Sequence, residues 1–327
     1  MKTVLVTGAS GFVGAHVVAA LAQKGVRPRC LVRPTSRLDF IREWSPELVE
    51  GDVTSRAALE DAVTGVDGIV HCAGLTRAPA PTDYLRINAE GCENLYQACL
   101  TRNPAVRQIV HISSLAALGP SGVGCPTQED QERHPVSAYG QSKLAGQRVS
   151  EVHRASLPIA ILIPPAVYGP FDKDFLQYFR WVKRGLSPLI GGPARHLSLI
   201  YAKDLARAAL LCLEREPARG QAYLVEDGSP QTWETMALAI GWTMGKTPKP
   251  VRVPPAIIKG LAVVMESAAR WTGQATLFSR DKLEEFLQPS WVCSSAKIRA
   301  ELGFVPQYSL AQGLDETYRW YREHHWL

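Results

Sequence analysis

An α/β fold built on a parallel sheet is predicted by three observations on this 327-residue sequence. The first is Val4-Leu5-Val6, a short apolar run that breaks at Thr7-Gly8 and is followed by an apolar pattern of helical period, Val13, Val17, Val18 and Leu21. The second is the repetition of that unit: further short apolar runs, bounded by turn residues, alternate with helical patterns down the first half of the chain. The third is Tyr139-Gly-Gln-Ser-Lys143, which sets a phenol and an ammonium four residues apart on one helical face soon after a run ending in Ser113-Ser114.

Between the first strand and its helix stand Gly8, Gly11 and Gly14, spaced G-x-x-G-x-x-G. Residues without a Cβ let the backbone turn sharply and approach a pyrophosphate. The free N–H groups and positive end of the following helix then hold its charge. Gly8, Ser10, Gly11, Phe12, Val13 and Gly14 are therefore candidate dinucleotide ligands.

Arg29–Arg33 reads as the second strand, with Arg33, Ser36 and Arg37 at its end and no acid until Asp39. Guanidinium groups there suit the extra phosphate of NADP, whereas an NAD-selective site offers a carboxylate to the ribose; NADP(H) is favoured over NAD(H). The same arginines also read as solvated loop residues. Leu48–Asp52 ends a third strand at a carboxylate facing the adenine, beside Val53. Gly68–Gly74 is a fourth, whose small turn Cys72-Ala73-Gly74 can lie against the cofactor. Leu75 to Thr82 is Pro-rich and suited to a lid, with Leu75 and Thr76 as candidate substrate contacts. A helix is expected from about Asp83 to Leu100, with Asn88 as a buried polar brace behind the catalytic strand.

A fifth strand, Val106–Ile112, leads to Ser114. A tyrosine hydroxyl titrating near ~10 is a poor base at neutral pH. A lysine beside it and a cationic nicotinamide would lower that value. Ser114, Tyr139 and Lys143 are the candidate catalytic set, with Tyr139 as acid/base, Lys143 as its tuner and Ser114 holding the substrate oxygen.

Bulk composition bounds the partners. The chain is 46% apolar and 20% charged with a net charge of +5, as expected of a globular protein, and its basic residues are scattered rather than gathered for nucleic acid. Seven cysteines without a C-x-x-C pair read as free thiols and give no support to a metal site. The first strand follows Met1 at once, so no leader is expected and the protein reads as cytoplasmic. Pro254 to Trp271 is the most apolar later stretch, but Lys259, Glu266 and Arg270 interrupt it, so it cannot span a bilayer. Lining an apolar substrate pocket, touching a membrane surface and packing its own core all remain open for it. The terminal aromatics Trp320, Tyr321 and Trp326 read as a packed helix.

Together these motifs resemble the extended short-chain dehydrogenase/reductase family. Those that carry the resemblance are Thr7–Gly14, Asp52-Val53, His71–Gly74, Ser113-Ser114, Tyr139-x-x-x-Lys143, Pro164–Pro170, Tyr201–Ala206, Lys297–Pro306 and Ser309–Leu314. The resemblance implies a Rossmann doubly wound parallel sheet over residues 1–165, with a returning segment near 200–216. It also implies a smaller C-terminal α/β substrate domain over 166–327. It places Pro165, Ala166 and Val167 near the nicotinamide and Ala116 and Tyr168 near the substrate. By the same resemblance a homodimer forms through the helices Tyr84–Leu100 and Ala138–Glu151.

Details separate the reactions within that family. Dehydratases carry an Asp-Glu pair just after the catalytic serine or threonine, where this chain has Leu115-Ala-Ala117. Many nucleotide-sugar members place arginine at the position of Leu197, although Arg195 is close; they often have Arg at Ile163 and Asn at Ala166. The chain is more similar to members acting on hydrophobic carbonyls, such as 3β-hydroxysteroid dehydrogenases, plant-type ketone reductases and bacterial β-keto acid reductases. The expected activity is an NADP(H)-preferring exchange between an apolar secondary alcohol and its ketone. A nucleotide-sugar epimerase with tightly held NAD is the alternative, and a non-catalytic dinucleotide sensor a remote one.

Overall fold

The computed structural model describes residues 1–78, 80–260 and 280–327. Seven parallel strands form its main sheet: β1 (Thr3–Thr7), β2 (Arg27–Val32), β3 (Glu47–Glu50), β4 (Gly68–His71), β5 (Gln108–Ile112), β6 (Ile159–Ile163) and a last strand, Ala222–Leu224. Their spatial order is Ala222–Leu224, β6, β5, β4, β1, β2, β3. The order reverses between β1 and β4, so a crevice opens at the carboxyl ends of those two strands. β1, β4, β5 and β6 are buried along almost their whole length, which explains their unbroken apolar runs.

Helices cover both faces, among them α2 (Arg56–Val63), and the first of them, α1 (Phe12–Gln23), starts directly from the glycine loop. The helix expected over 83–100 is broken into three pieces. α3 (Pro81–Leu85) begins with proline at its first turn, where a missing N–H costs nothing. A π-helical turn, Arg86–Glu90, follows, and then α4 (Gly91–Arg102). The wide turn carries Asn88, and such turns gather at functional places. α5 (Ala138–His153) is the long helix against β5 and β6.

Later segments of the chain lie against this sheet. α7 (Ala202–Glu214) packs on α1, the strand Ala222–Leu224 joins the sheet edge, and Ile298, Leu302 and Phe304 lie in the same core. The smaller domain has its own core, in which Phe175, Phe179 and Val182 of α6 (Phe175–Lys183) meet Met236 and Ile240 of α8 (Trp233–Thr243) and Leu314 and Tyr321 of the terminal helix Leu310–Glu323. Trp320, Tyr321 and Trp326 form a packed aromatic group that also reaches Phe40 and Phe171. Of the apolar stretch from Pro254, only the part up to Gly260 is described. Met265 and Trp271 lie outside the described residues, as does Pro79 in the Pro-rich segment.

Asp204 ties the two domains. Fully buried, it accepts hydrogen bonds from the backbone N–H groups of Gln307 and Tyr308 (3.0–3.1 Å) and is paired with Arg207 at 2.6 Å. Removing a buried carboxylate leaves both donors and a cation unpaired. Asp204→Ala should lower unfolding free energy by about 3 kcal/mol in urea denaturation; an unchanged midpoint would show that the tie is dispensable.

Candidate active site

The glycine loop is shaped for close approach. Gly8 has φ of +66°, and a Cβ there would fall 2.7 Å from the Ala73 nitrogen; at Gly14 it would fall 2.2 Å from the Gly8 carbonyl oxygen. No side chain fits either place, so the end of β1, the turn after β4 and the first turn of α1 share one bare surface. Thr7 holds the two strand ends together: its hydroxyl accepts the Ala73 N–H at 3.3 Å, and its carbonyl accepts the Cys72 N–H at 3.1 Å. Ser10, Phe12, Val13, Cys72 and Ala73 are half-buried around this surface, while Gly11 and Gly74 are exposed. This cradle fits a dinucleotide pyrophosphate.

Arg33 follows the last residue of β2, and its N–H donates to the Ser36 hydroxyl at 2.9 Å. The Arg33 and Arg37 side chains are exposed, with Asp52 at 4.0 Å from Arg33 and Asp39 at 3.4 Å from Arg37. Asp52 is partly engaged, accepting from both the N–H and the hydroxyl of Thr54 at 2.9 Å. The Val53 side chain points into the core beneath Gly91, so only its main chain is available to a ligand.

At the end of β5 the catalytic candidates come together. Ser114 and Tyr139 are within hydrogen-bonding reach of each other. Lys143 is buried, and its ammonium donates to the Ile112 carbonyl at 2.8 Å. The brace expected at Asn88 is present: its side chain accepts the Leu75 N–H at 2.7 Å and donates to the Leu75 carbonyl at 3.0 Å and the Ser142 hydroxyl at 2.9 Å. Leu75 is thereby fixed at the crevice wall, and Thr76 beyond it is exposed. Ala116 is buried, with its carbonyl close under Gly140. Pro165 is buried, and Ala166 and Val167 are half-buried in β7 (Ala166–Tyr168).

Two expectations need correction. Tyr168 does not face a substrate: it is wholly buried between Phe175, Tyr201 and the backbone of Gly313, because the alternation along β7 turns it into the smaller domain's core. The Tyr139 phenol is also not lowered in the protein by itself. Burial pushes it up, against the opposing influence of Ser114 and of a lysine that is not Lys143.

That lysine is Lys282, whose ammonium stands 5.4 Å from the centre of the Tyr139 ring. It belongs to the helix Arg280–Leu287, which docks on the start of α5. Asp281 accepts the Ala138 N–H, satisfying a free donor at the helix N-terminus, and Glu285 accepts from the Ser137 hydroxyl at 2.6 Å while pairing with Lys282 at 2.6 Å. Sequence reasoning missed these three residues, since nothing local joins position 282 to position 139. The charged cluster Asp281-Lys282-x-x-Glu285 after a long apolar stretch was the available signal.

Comparison with known proteins now decides the family. The model of the NAD dependent epimerase/dehydratase family matches residues 4–225. The chain belongs to this family. It is thus an NAD(P)-dependent oxidoreductase of the extended short-chain type. Over 99% of its length it is 32% identical to a ceramide reductase from Caulobacter vibrioides, covering 96% of that protein. It is 27% identical to a 4-hydroxy-2-methyl-3-oxo-4-farnesyl-3,4-dihydroquinoline-1-oxide ketoreductase from Stigmatella aurantiaca, over 96% of this chain and 95% of the other. Among solved structures, the UDP-glucose 4-epimerase of Thermotoga maritima with UDP-glucose superposes with a TM-score of 0.81 at 20% identity, covering 99% of this chain and all of that one, and shows the fold. Among the described residues no helix is long and apolar enough to cross a membrane.

The cation at Tyr139 has a measurable consequence. Tyr139 is faced by Ser114, Tyr84, Lys282 and Glu285, and Lys282 favours its phenolate. Lys282→Met removes that influence and raises the phenol further. In the pH profile of kcat/KM, the limb belonging to Tyr139 should move up, with Lys282→Arg restoring it. A profile that stays in place in Lys282→Met would show that Tyr139 titrates independently of this cation.

Proposed function

We propose that this protein is an NADP(H)-preferring reductase that interconverts an apolar ketone and its secondary alcohol. The observation that carries the reading is Ser114 within hydrogen-bonding reach of a half-buried Tyr139, whose phenol desolvation pushes up, at the end of β5, with no acid or base in the apolar turn that follows. When bound, the dinucleotide supplies or accepts hydride at its nicotinamide ring. Burial keeps the Tyr139 phenol in the form that can give a proton to a carbonyl oxygen. Ser114 is placed to hold that oxygen by hydrogen bond, and Lys143, fixed on the Ile112 carbonyl, to supply positive charge from behind.

Dehydration is poorly served, because Leu115, Ala116 and Ala117 are buried and carry no acid or base. A nucleotide-sugar substrate is also disfavoured: Leu197 is buried, and the neighbouring Arg195 spends its guanidinium on the backbone carbonyls of Ile190, Pro193 and Leu287. The names of the ceramide reductase and the farnesyl-bearing ketoreductase support an apolar carbonyl substrate. Preference for NADP(H) rests on Arg33 and Arg37, exposed at the end of β2 beside the Arg33–Ser36 turn.

NADPH consumption against a panel of long-chain ketones, sterol ketones and β-keto acids tests the activity. Turnover is expected with at least one class, and Tyr139→Phe should cut kcat by a factor of about 100 or more while leaving NADPH affinity nearly unchanged. Retention of unexchanged NAD through purification, with no consumption on any ketone, would overturn the reductase reading in favour of an epimerase.

Replacing Arg33 and Arg37 together by alanine should weaken NADPH binding at least roughly ten-fold and NADH binding little, as read by fluorescence titration of each dinucleotide. An equal loss for both would sink the phosphate assignment.

A further inference from the structure

One tip of the smaller domain gathers exposed aromatic and basic side chains, and nothing in the proposed reaction uses them. α6 and α8 both end there, beside the parallel pair of β8 (Leu186–Ile190) and the strand Lys249–Val253. The parts interlock through the backbone: the Lys249 N–H donates to the Gly185 carbonyl at 2.9 Å, and the Lys246 ammonium donates to the Lys183 carbonyl. The ends of these elements are therefore neighbours.

Apolar groups on this surface face water. α8 buries Met236, Ala237, Ile240 and Gly241, which leaves Trp242 on the opposite side, 81% exposed. Trp181 at the end of α6 is 40% exposed, with the Arg184 guanidinium over its ring at 5.5 Å. Val251 on the strand Lys249–Val253 and Ile257 just after it are exposed as well. Such side chains are ordinarily scattered singly, and their gathering marks a contact surface.

The charge on this surface is mostly positive. Residues 175–192 and 235–260 contain no aspartate or glutamate, yet they carry Arg180, Lys183, Arg184, Lys246, Lys249, Arg252 and Lys259. Glu234, 4.0 Å from Arg252, is the acid at the border. A protein whose net charge is only +5 has thus concentrated cations where its tryptophans are exposed. Tryptophan settles at the boundary between headgroups and acyl chains, and nearby lysines and arginines are drawn to anionic headgroups.

We propose that this tip docks the protein on an anionic lipid bilayer, with Trp242 and Trp181 entering the headgroup layer and the surrounding lysines and arginines pairing with lipid phosphates. The proposal stands on the surface itself and does not depend on the substrate reading above.

Cosedimentation of the full chain with vesicles tests it. The protein should pellet with phosphatidylcholine vesicles that contain phosphatidylglycerol, should stay in solution with phosphatidylcholine alone, and should be released by salt. The triple change Trp242→Ala, Lys246→Ala and Lys249→Ala should reduce partitioning by roughly ten-fold or more, with an unchanged melting temperature. Should that variant melt early, Lys249→Glu with Lys259→Glu changes exposed side chains outside that interlock and carries the same expectation. Failure to pellet with the anionic vesicles, or undiminished pelleting of the variants, would overturn the proposal. So would sedimentation of the protein as a dimer that Trp242→Ala splits, since the surface would then belong to a second copy of the chain.

Discussion

The site depends on burying one ammonium. Lys143 is almost inaccessible to water, and its charge is met by the Ile112 carbonyl at the end of β5. Taking a cation out of water costs several kcal/mol unless fixed dipoles replace its hydration. The contact therefore demands that α5 lie close against the strand end, and the sequence allows it. A Cβ at Gly146 would stand 2.2 Å from the Asn88 carbonyl oxygen, and one at Gly140 would stand 2.4 Å from the Ala116 carbonyl oxygen. Ser113 accepts from Gln147 at 2.6 Å one turn further along α5. With α5 held at that depth, Tyr139 falls beside Ser114, and Ser142 falls where Asn88 can reach it.

The surroundings of that ammonium are kept neutral. Behind it His71 meets Thr7 at 2.7 Å and Cys92 at 3.4 Å, while His111 meets Ser150 at 2.6 Å and Ser150 meets Tyr96 at 2.7 Å. Burial pushes His71 down to about 3 and holds His111 well below its ordinary range, with Lys143 acting in the same direction on both. Cys72 and Cys92 are driven up to about 12, so they remain thiols. The hydrogen-bonded row from Thr7 to Tyr96 is uncharged, so the ordering of β1, β4, β5, α4 and α5 adds no second charge to compete with Lys143.

What could be read from the sequence was whatever the chemistry requires within a few residues. The glycine loop must follow a strand and open a helix, and Tyr139 and Lys143 must share one helical face, so both were legible, as was Asn88 on its polar-in-apolar helix. Boundaries moved by a residue or two, and the π turn at Arg86–Glu90 was invisible because it is set by what Asn88 touches. Tyr168 misled because it adjoins residues expected at the nicotinamide, while a three-residue strand is enough to turn it to the other side. The strand Ala222–Leu224 and the helix carrying Lys282 were unreadable for a common reason: each is placed by contacts with partners far away in sequence.

The direction of the Tyr139 shift shows why charges alone were misleading. From sequence, a lysine four residues away argues for a lowered phenol. Desolvation is the larger influence, and Lys143 has turned its ammonium to the Ile112 carbonyl, leaving Lys282 as the cation over the ring. Desolvation of the half-buried phenol favours its protonated form, the form that can donate to an oxygen. Binding a positively charged nicotinamide would pull it toward the phenolate, whereas the reduced ring, being neutral, would not. The two oxidation states of one cofactor thus select the two protonation states of one tyrosine.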